Sequence, residues 1–216
     1  VAKPAQLAVV GEGTAAGVPD RCIVHAALNV MADTVADAVS RVAALVSQVH
    51  DSLKAAGLEP ADLRTTSLNV HDFFDHAKQK VTARVASYQL EITVRQFDKL
   101  SEHLAGLVSV AGDSLQISAL QLTIADPEPL KRDARLQAMN DARDKATQLA
   151  ESAGGRLGRI VSIDEGSPGA GIPYRGFARA ASASAAPVIP HLQIEPGSLT
   201  VGCRVAVTYE LLDESE

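Results

Sequence analysis

The sequence predicts an α+β fold: an antiparallel or mixed curved sheet in βαββαβ (ferredoxin-like) order, with a long third helix and C-terminal strands packing on the same sheet. Three observations carry this. Between Arg21 and Ile124 the apolar period switches between two, as in strands, and three to four, as in helices. The resulting order is strand, helix, strand, strand, helix, strand. From Pro127 to Ala153 the pattern is helical for about seven turns, with a small-residue row at Ala134, Ala138, Ala142 and Ala146. Finally, Leu199, Val201, Cys203, Val205, Val207, Tyr209 and Leu211 alternate with polar or small residues, which describes one long strand.

Gln6 to Gly11 reads as a short strand, and Gly11-Glu12-Gly13 as a bend before the next one. A lone GEG lacks the third glycine and the following helix of a dinucleotide fingerprint. Pro19-Asp20 opens a long strand, Arg21 to Met31, apolar enough on both faces to be central. Thr34 to Ala56 is an amphipathic helix: Thr34 and Asp37 resemble a capping box, and Val35, Val39, Val42, Val46, Val49 and Leu53 share a face. Gly57 and Pro60 stop it.

Two strands, Leu63 to Phe74 and Val81 to Arg95, follow with a polar connection between them. In the second, apolar parity changes, which predicts a bulge or twist near Ala86-Ser87. Phe97 to Val110 is a shorter helix closed by Gly112, and Ser114 to Ile124 a strand with a similar change of parity after Ala119. Asp126 and Pro127 start the long helix and Gly154-Gly155 end it, before a strand from Arg159 to Ile163. The charged residues of that helix, Lys131 to Lys145, read as a solvated face. Residues 166–198 hold five glycines, five of the ten prolines and an ASASAA run. That composition predicts an arm without regular structure.

Apolar residues form 46% of the chain and aromatics 3%, with no Trp, so the core is aliphatic. A net charge of −6 argues against broad binding to nucleic acid or anionic membranes. No apolar run approaches the ~20 residues of a transmembrane helix. The start, VAKPAQLAVVGEG, has no signal-like apolar region. The location expected is cytoplasmic for the sequence as given, and exported to the periplasm or envelope if a signal has been removed. Cys22 and Cys203 make no disulfide framework. They read as two thiols in strands, with one disulfide as the alternative.

The order and spacing of several pieces resemble the SIMPL-domain family. These are VVGEGTAAGVPDRCIVHAALNV, LKAAGLEPADLRTTSLNV, SYQLEITVRQFDKLSEHL, ADPEPLKRDARLQAMNDARDKATQLAESAGGRLGRIVSIDEG and IEPGSLTVGCRVAVTYEL. The resemblance implies a single SIMPL-like domain over 1–216. Its parts are the core at 21–124, the long helix and strand at 126–165, the arm at 166–198 and the closing strand at 199–212. It also implies frequent assembly into oligomers, export in bacterial members and adaptor roles in animal relatives. The family has no established enzymatic activity, so no catalytic or cofactor-binding residue carries over.

One local cluster has ligand chemistry: His71, Asp72, Asp75 and His76 could offer imidazole and carboxylate groups to a metal. His71 and His76 are five apart, however, so on a continuous strand they face opposite ways. A polar hairpin end is the reading favoured here. There is no G-x-S-x-G elbow, neither cysteine has an activating neighbour in sequence, and Asp164-Glu165 reads as a solvated strand end. The expectation is therefore a non-enzymatic assembly or protein-interaction module, stress- or signalling-related, with no cofactor. Its partners would be further copies of itself or another protein. The alternative is a metal- or small-molecule-binding enzyme using the His71–His76 segment.

Overall fold

The computed structural model describes residues 5–166 and 195–213. Along these run β1 (Gln6–Gly17), β2 (Arg21–Ala32), α1 (Val35–Ala55), β3 (Leu63–Asp75), β4 (Lys80–Val94), α2 (Leu100–Ala111), β5 (Leu115–Thr123), α3 (Glu128–Ser152), β6 (Gly155–Glu165) and β7 (Leu199–Asp213). Most of the arm expected at 166–198 lies outside the described residues. The described chain divides into two compact units, one holding 19–123 and the other 5–18, 124–166 and 197–213.

The first unit has the expected βαββαβ order. Its antiparallel sheet runs β3-β4-β2-β5, the strand order of a ferredoxin-like domain. Cys22, Val24, Ala26 and Leu28 alternate along β2 into the core, beside Leu90, Ile92 and Val94 of β4. From α1 come Ala38, Val42, Val49 and Leu53, and from α2 Leu100, Leu104, Leu107 and Ala111. Each large aliphatic side chain buried here stabilises the fold by about 1.5–3 kcal/mol. The stripe expected on α1 holds at Val42, Val49 and Leu53, whereas Val35 is half exposed in the first turn.

The termini of α1 follow local chemistry. The Asp37 N–H donates to Thr34 Oγ1 at 3.1 Å, and the Thr34 hydroxyl donates to Asp37 Oδ2 at 2.7 Å. At the other end Leu58 N–H reaches Leu53 O at 3.1 Å, with Gly57 at φ 93°, the left-handed turn-off that suits glycine. A short turn then places Asp62, 5% exposed, against Arg95, whose guanidinium lies 2.7 and 3.0 Å from the two carboxylate oxygens.

The irregularity expected near Ala86-Ser87 lies elsewhere. β4 pairs with β2 without interruption from Arg84 to Val94. The breaks in register are on the β3 side, where Thr66 and Thr82 are the extra residues. Val81 and Lys80 belong to the part of the hairpin that runs past Ala32, the end of β2, and Val81 is exposed there. In β5 the break falls at Ser118, just before the parity change expected after Ala119.

The second unit corrects two expectations. The C-terminal strands are not part of the first sheet: β1, β7 and β6 form their own antiparallel sheet in the order β1-β7-β6, with α3 against it. Both sides of β2 are taken by β4 and β5, whereas β7 pairs with β1 over the whole of Gln6–Gly17. That pairing requires the second correction. Gly11-Glu12-Gly13 is not a bend but the middle of a continuous strand. Its glycines serve close approach: a Cβ on Gly11 would lie 2.0 Å from the Ala138 carbonyl oxygen, and one on Gly13 2.1 Å from that of Ala134. The alanine row extends to Ala150, and all five alanines are essentially inaccessible. Val9, Val205, Val207 and Tyr209 complete this core.

Gly11→Ala forces either α3 or β1 to move, because the obstructing atom is backbone. The expected outcome is destabilisation of about 3 kcal/mol, at the upper end for overpacked sites. Urea unfolding checks this, with Gly57→Ala in the open αL turn as a milder comparison.

Candidate interaction surfaces

Three exposed features are built tightly enough to interpret: the edges of the β1-β7-β6 sheet, the tip of the β3–β4 hairpin, and the polar face of the four-stranded sheet.

At the β1 edge, α3 supplies side chains to backbone groups that would otherwise face outward. Asp141 Oδ2 accepts from the Glu12 N–H at 2.8 Å, Lys145 Nζ donates to Val10 O at 3.1 Å, and Gln137 Oε1 accepts from the Thr14 N–H at 3.4 Å. Four helical residues advance ~6 Å and two strand residues ~6.7 Å, so one interaction can repeat along both elements. Lys145 also pairs with Asp141 at 2.6 Å. That bond, followed by the one from Glu12, holds the Asp141 carboxyl below the usual range. Part of the charged face expected to be merely solvated thus covers a strand edge. One step further along, Leu149 occupies the next position and cannot hydrogen-bond. A shallow groove opens there, lined by Ala8, Gln148, Leu149 and Ser152.

The opposite edge is β6. From Arg159 to Glu165 every residue is exposed, including Ile160 at 45%, Val161 at 45% and Ile163 at 54%. Arg159 Nη2 lies 2.8 Å from Glu210 Oε1, and Arg135 Nε lies 2.5 Å from Glu165 Oε1. The Asp164-Glu165 pair is a strand end, as expected, with Glu165 tied to α3.

The hairpin carries the metal-ligand candidates. His71 lies opposite Val85, and Asp72 is 3.2 Å from Arg84 Nε. Asp75 Oδ1 accepts from the N–H groups of Ala77 and Lys78 at 3.0 and 3.1 Å, and Lys78 Nζ is 3.2 Å from Oδ2. These bonds, Lys78's foremost, lower the Asp75 pKa. His76 stands edge-on to Phe74, centroids 5.2 Å apart. Both carboxylates are therefore engaged with the hairpin's own cations. Among the described residues no three His, Cys, Asp or Glu side chains converge as a metal site. Phe73, Phe74 and Val81 are exposed around the tip.

The face of the four-stranded sheet away from its helices was not anticipated from sequence. His25 lies 3.5 Å from Glu91 and 3.4 Å from Gln121, and Arg64 Nε donates to Glu91 at 3.0 Å. Gln89, Gln116, Ser87 and Thr66 line a shallow depression beside His25. The period-two polar positions of β2, β4 and β5 were the available signal, but cross-strand register decides which of them meet. Each imidazole nitrogen faces an acceptor, and Ser118 Oγ donates to the His25 carbonyl at 3.1 Å, so the two do not form a nucleophile–base pair. Both cysteines are free thiols: burial raises the Cys22 pKa to about 11, and burial, then Glu165, raises that of half-buried Cys203.

The family model described as SIMPL, protein of unknown function (DUF541), matches residues 7–209. The chain belongs to the SIMPL family. It is 30% identical over 170 residues to the "26 kDa periplasmic immunogenic protein" of Brucella melitensis biotype 1, covering 76% of this chain and 67% of the relative. It is 30% identical over 160 residues to the "Uncharacterized protein YggE" of Edwardsiella ictaluri, covering 72% of this chain and 66% of that one. With YggE of Escherichia coli K12 the identity is 28% over 159 residues, 72% and 64% of the two chains. The chain thus spans about two thirds of the length of these relatives. No helix among the described residues is long and apolar enough to cross a membrane.

Asp141→Ala should selectively accelerate hydrogen exchange at the Glu12 amide and leave the Val9 amide, on the β7 side, protected. The pH dependence has a definite sign. A carboxyl whose folded pKa is depressed contributes stability above the ordinary Asp value, and that contribution is lost as pH falls through the lowered one. The stability difference between wild type and Asp141→Asn therefore closes in acid, as measured by urea unfolding at a series of pH values.

Proposed function

We propose that this protein is a non-enzymatic assembly or protein-interaction module whose exposed strand edge and arm join copies of the chain or hold a protein partner. The observation that carries this reading is β6, a sheet-edge strand with exposed Ile160, Val161 and Ile163. Unpaired edges with aliphatic side chains are templates for strand addition, and proteins usually blunt them. The contrast with β1, whose outer backbone groups are taken up by α3 side chains, supports it further. The exposed Phe73, Phe74 and Val81 of the hairpin offer a second apolar contact. The stretch 166–198, largely outside the described residues, enters the reading through its composition alone.

A role in stress or signalling is part of the same reading. For location, the word "periplasmic" in the names of the Brucella relatives favours export over the cytoplasmic alternative.

Light scattering behind a sizing column tests the assembly reading. The expected result is a discrete oligomer at a whole-number multiple of 22.6 kDa, stable on dilution. A monomer at every concentration overturns self-assembly. Deletion of residues 168–192 is expected to leave the fold intact and change the assembly, and an unchanged oligomer removes the arm from the reading.

A further inference from the structure

We infer that the outer edge of β6 joins two copies of this chain, strand to strand and antiparallel, so that one sheet runs β1-β7-β6-β6-β7-β1 across a two-fold axis. The inference rests on the assembly reading above and names its partner, a second copy.

The other edge of this sheet is closed to a partner strand. Lys145, Asp141 and Gln137 already occupy outward backbone groups of β1 at Val10, Glu12 and Thr14. On β6 the outer edge has no strand beside it among the described residues, and its side chains are exposed from Arg159 to Glu165.

The charge order along β6 is self-complementary. Arg159 precedes the aliphatic centre and Asp164 follows it. In an isologous antiparallel pair, placing Arg159 opposite Asp164 of the second copy automatically places Asp164 opposite the second Arg159. The same register sets Ile160 opposite Ile163 twice, with Val161 and Ser162 at the axis. A parallel pairing in register would instead stack like on like.

The faces agree as well, and this requirement is stringent. Directly opposed residues of an antiparallel pair project to the same face. Ile160 pairs with Tyr209 and Ile163 with Val207, both buried in the α3 core, so the two isoleucines project to the α3 side. Asp164 pairs with Ala206, and Arg159 reaches Glu210, residues that alternate with those buried ones, so both lie on the opposite face. In an unbroken strand, residues three apart face opposite ways. Ile160 and Ile163 share a face because the register to β7 breaks between Ile160 and Ser162, leaving Val161 as the extra residue. A bulge that usually protects an edge here brings the strand into consistency with its own two-fold copy.

Charge reversal tests the pairing. Arg159→Asp and Asp164→Arg each put like charges opposite each other, and each is expected to reduce the light-scattering mass by a factor of two or more at equal concentration. The double variant R159D/D164R is expected to restore it. The intrachain contact of residue 159 with Glu210 is not restored in the double variant, so recovery reports the contact between copies. Wild-type mass retained in both single variants, or no recovery in the double one, overturns this edge while leaving assembly through another surface standing. A monomeric wild type overturns both readings. As a second measurement, Ser162→Cys in a Cys203→Ser background is expected to give a disulfide-linked dimer on mild oxidation, with Thr200→Cys as a non-linking control. Failure of the folded Ser162→Cys protein to link overturns the proposal.

Discussion

The second unit depends on the approach of α3 to β1, backbone against backbone. Ala134, Ala138, Ala142, Ala146 and Ala150 leave no side chain longer than a methyl on the buried line of the helix. Gly11 and Gly13 remove even the methyl from the strand. Backbone then meets backbone closely enough for Asp141, Lys145 and Gln137, one helical position away from the alanines, to reach the outer groups of β1. With larger residues on either element the helix would stand off by several ångströms, and those side chains would end in water. Packing and edge protection are thus two results of one choice of small residues.

This explains what was legible in the sequence and what was not. The βαββαβ order could be read because each element carries its own period, and Thr34, Gly57 and Gly112 punctuate it. The alanine row was also legible. What it approached was not. Glycine in Gly11-Glu12-Gly13 has two opposite meanings, a turn or a tight contact, and local sequence does not choose between them. Only the pairing of Gln6–Gly17 with Leu199–Glu210, across nearly the whole chain, does so. With β1 read as Gln6 to Gly11 only, one sheet is expected where there are two.

The candidate sites follow a similar logic. His71, Asp72, Asp75 and His76 stand together in sequence, but a strand sends neighbours to opposite faces, and Arg84 and Lys78 take the two carboxylates. The His25, Glu91, Arg64 and Gln121 group is assembled from four strands and has no signature along the chain. Local spacing finds turns and caps well, whereas polar clusters on a sheet face depend on register, which a one-residue slip would invert.

The asymmetry of the β1-β7-β6 sheet argues most directly for how the protein works. Edge strands left open invite uncontrolled pairing, and the charged face of α3 shows one edge being closed. β6 lies at the opposite edge of the same sheet, where Arg135 ties Glu165, at the very end of the strand, to the helix. An edge kept free of partners usually carries lysines or prolines, or is short. β6 instead runs from Gly155 to Glu165 without a proline, with aliphatic residues at its centre and opposite charges to either side. In the proposed pairing those features divide the work: the aliphatic centre would supply contact area, the charges would fix direction, and the bulge would fix register.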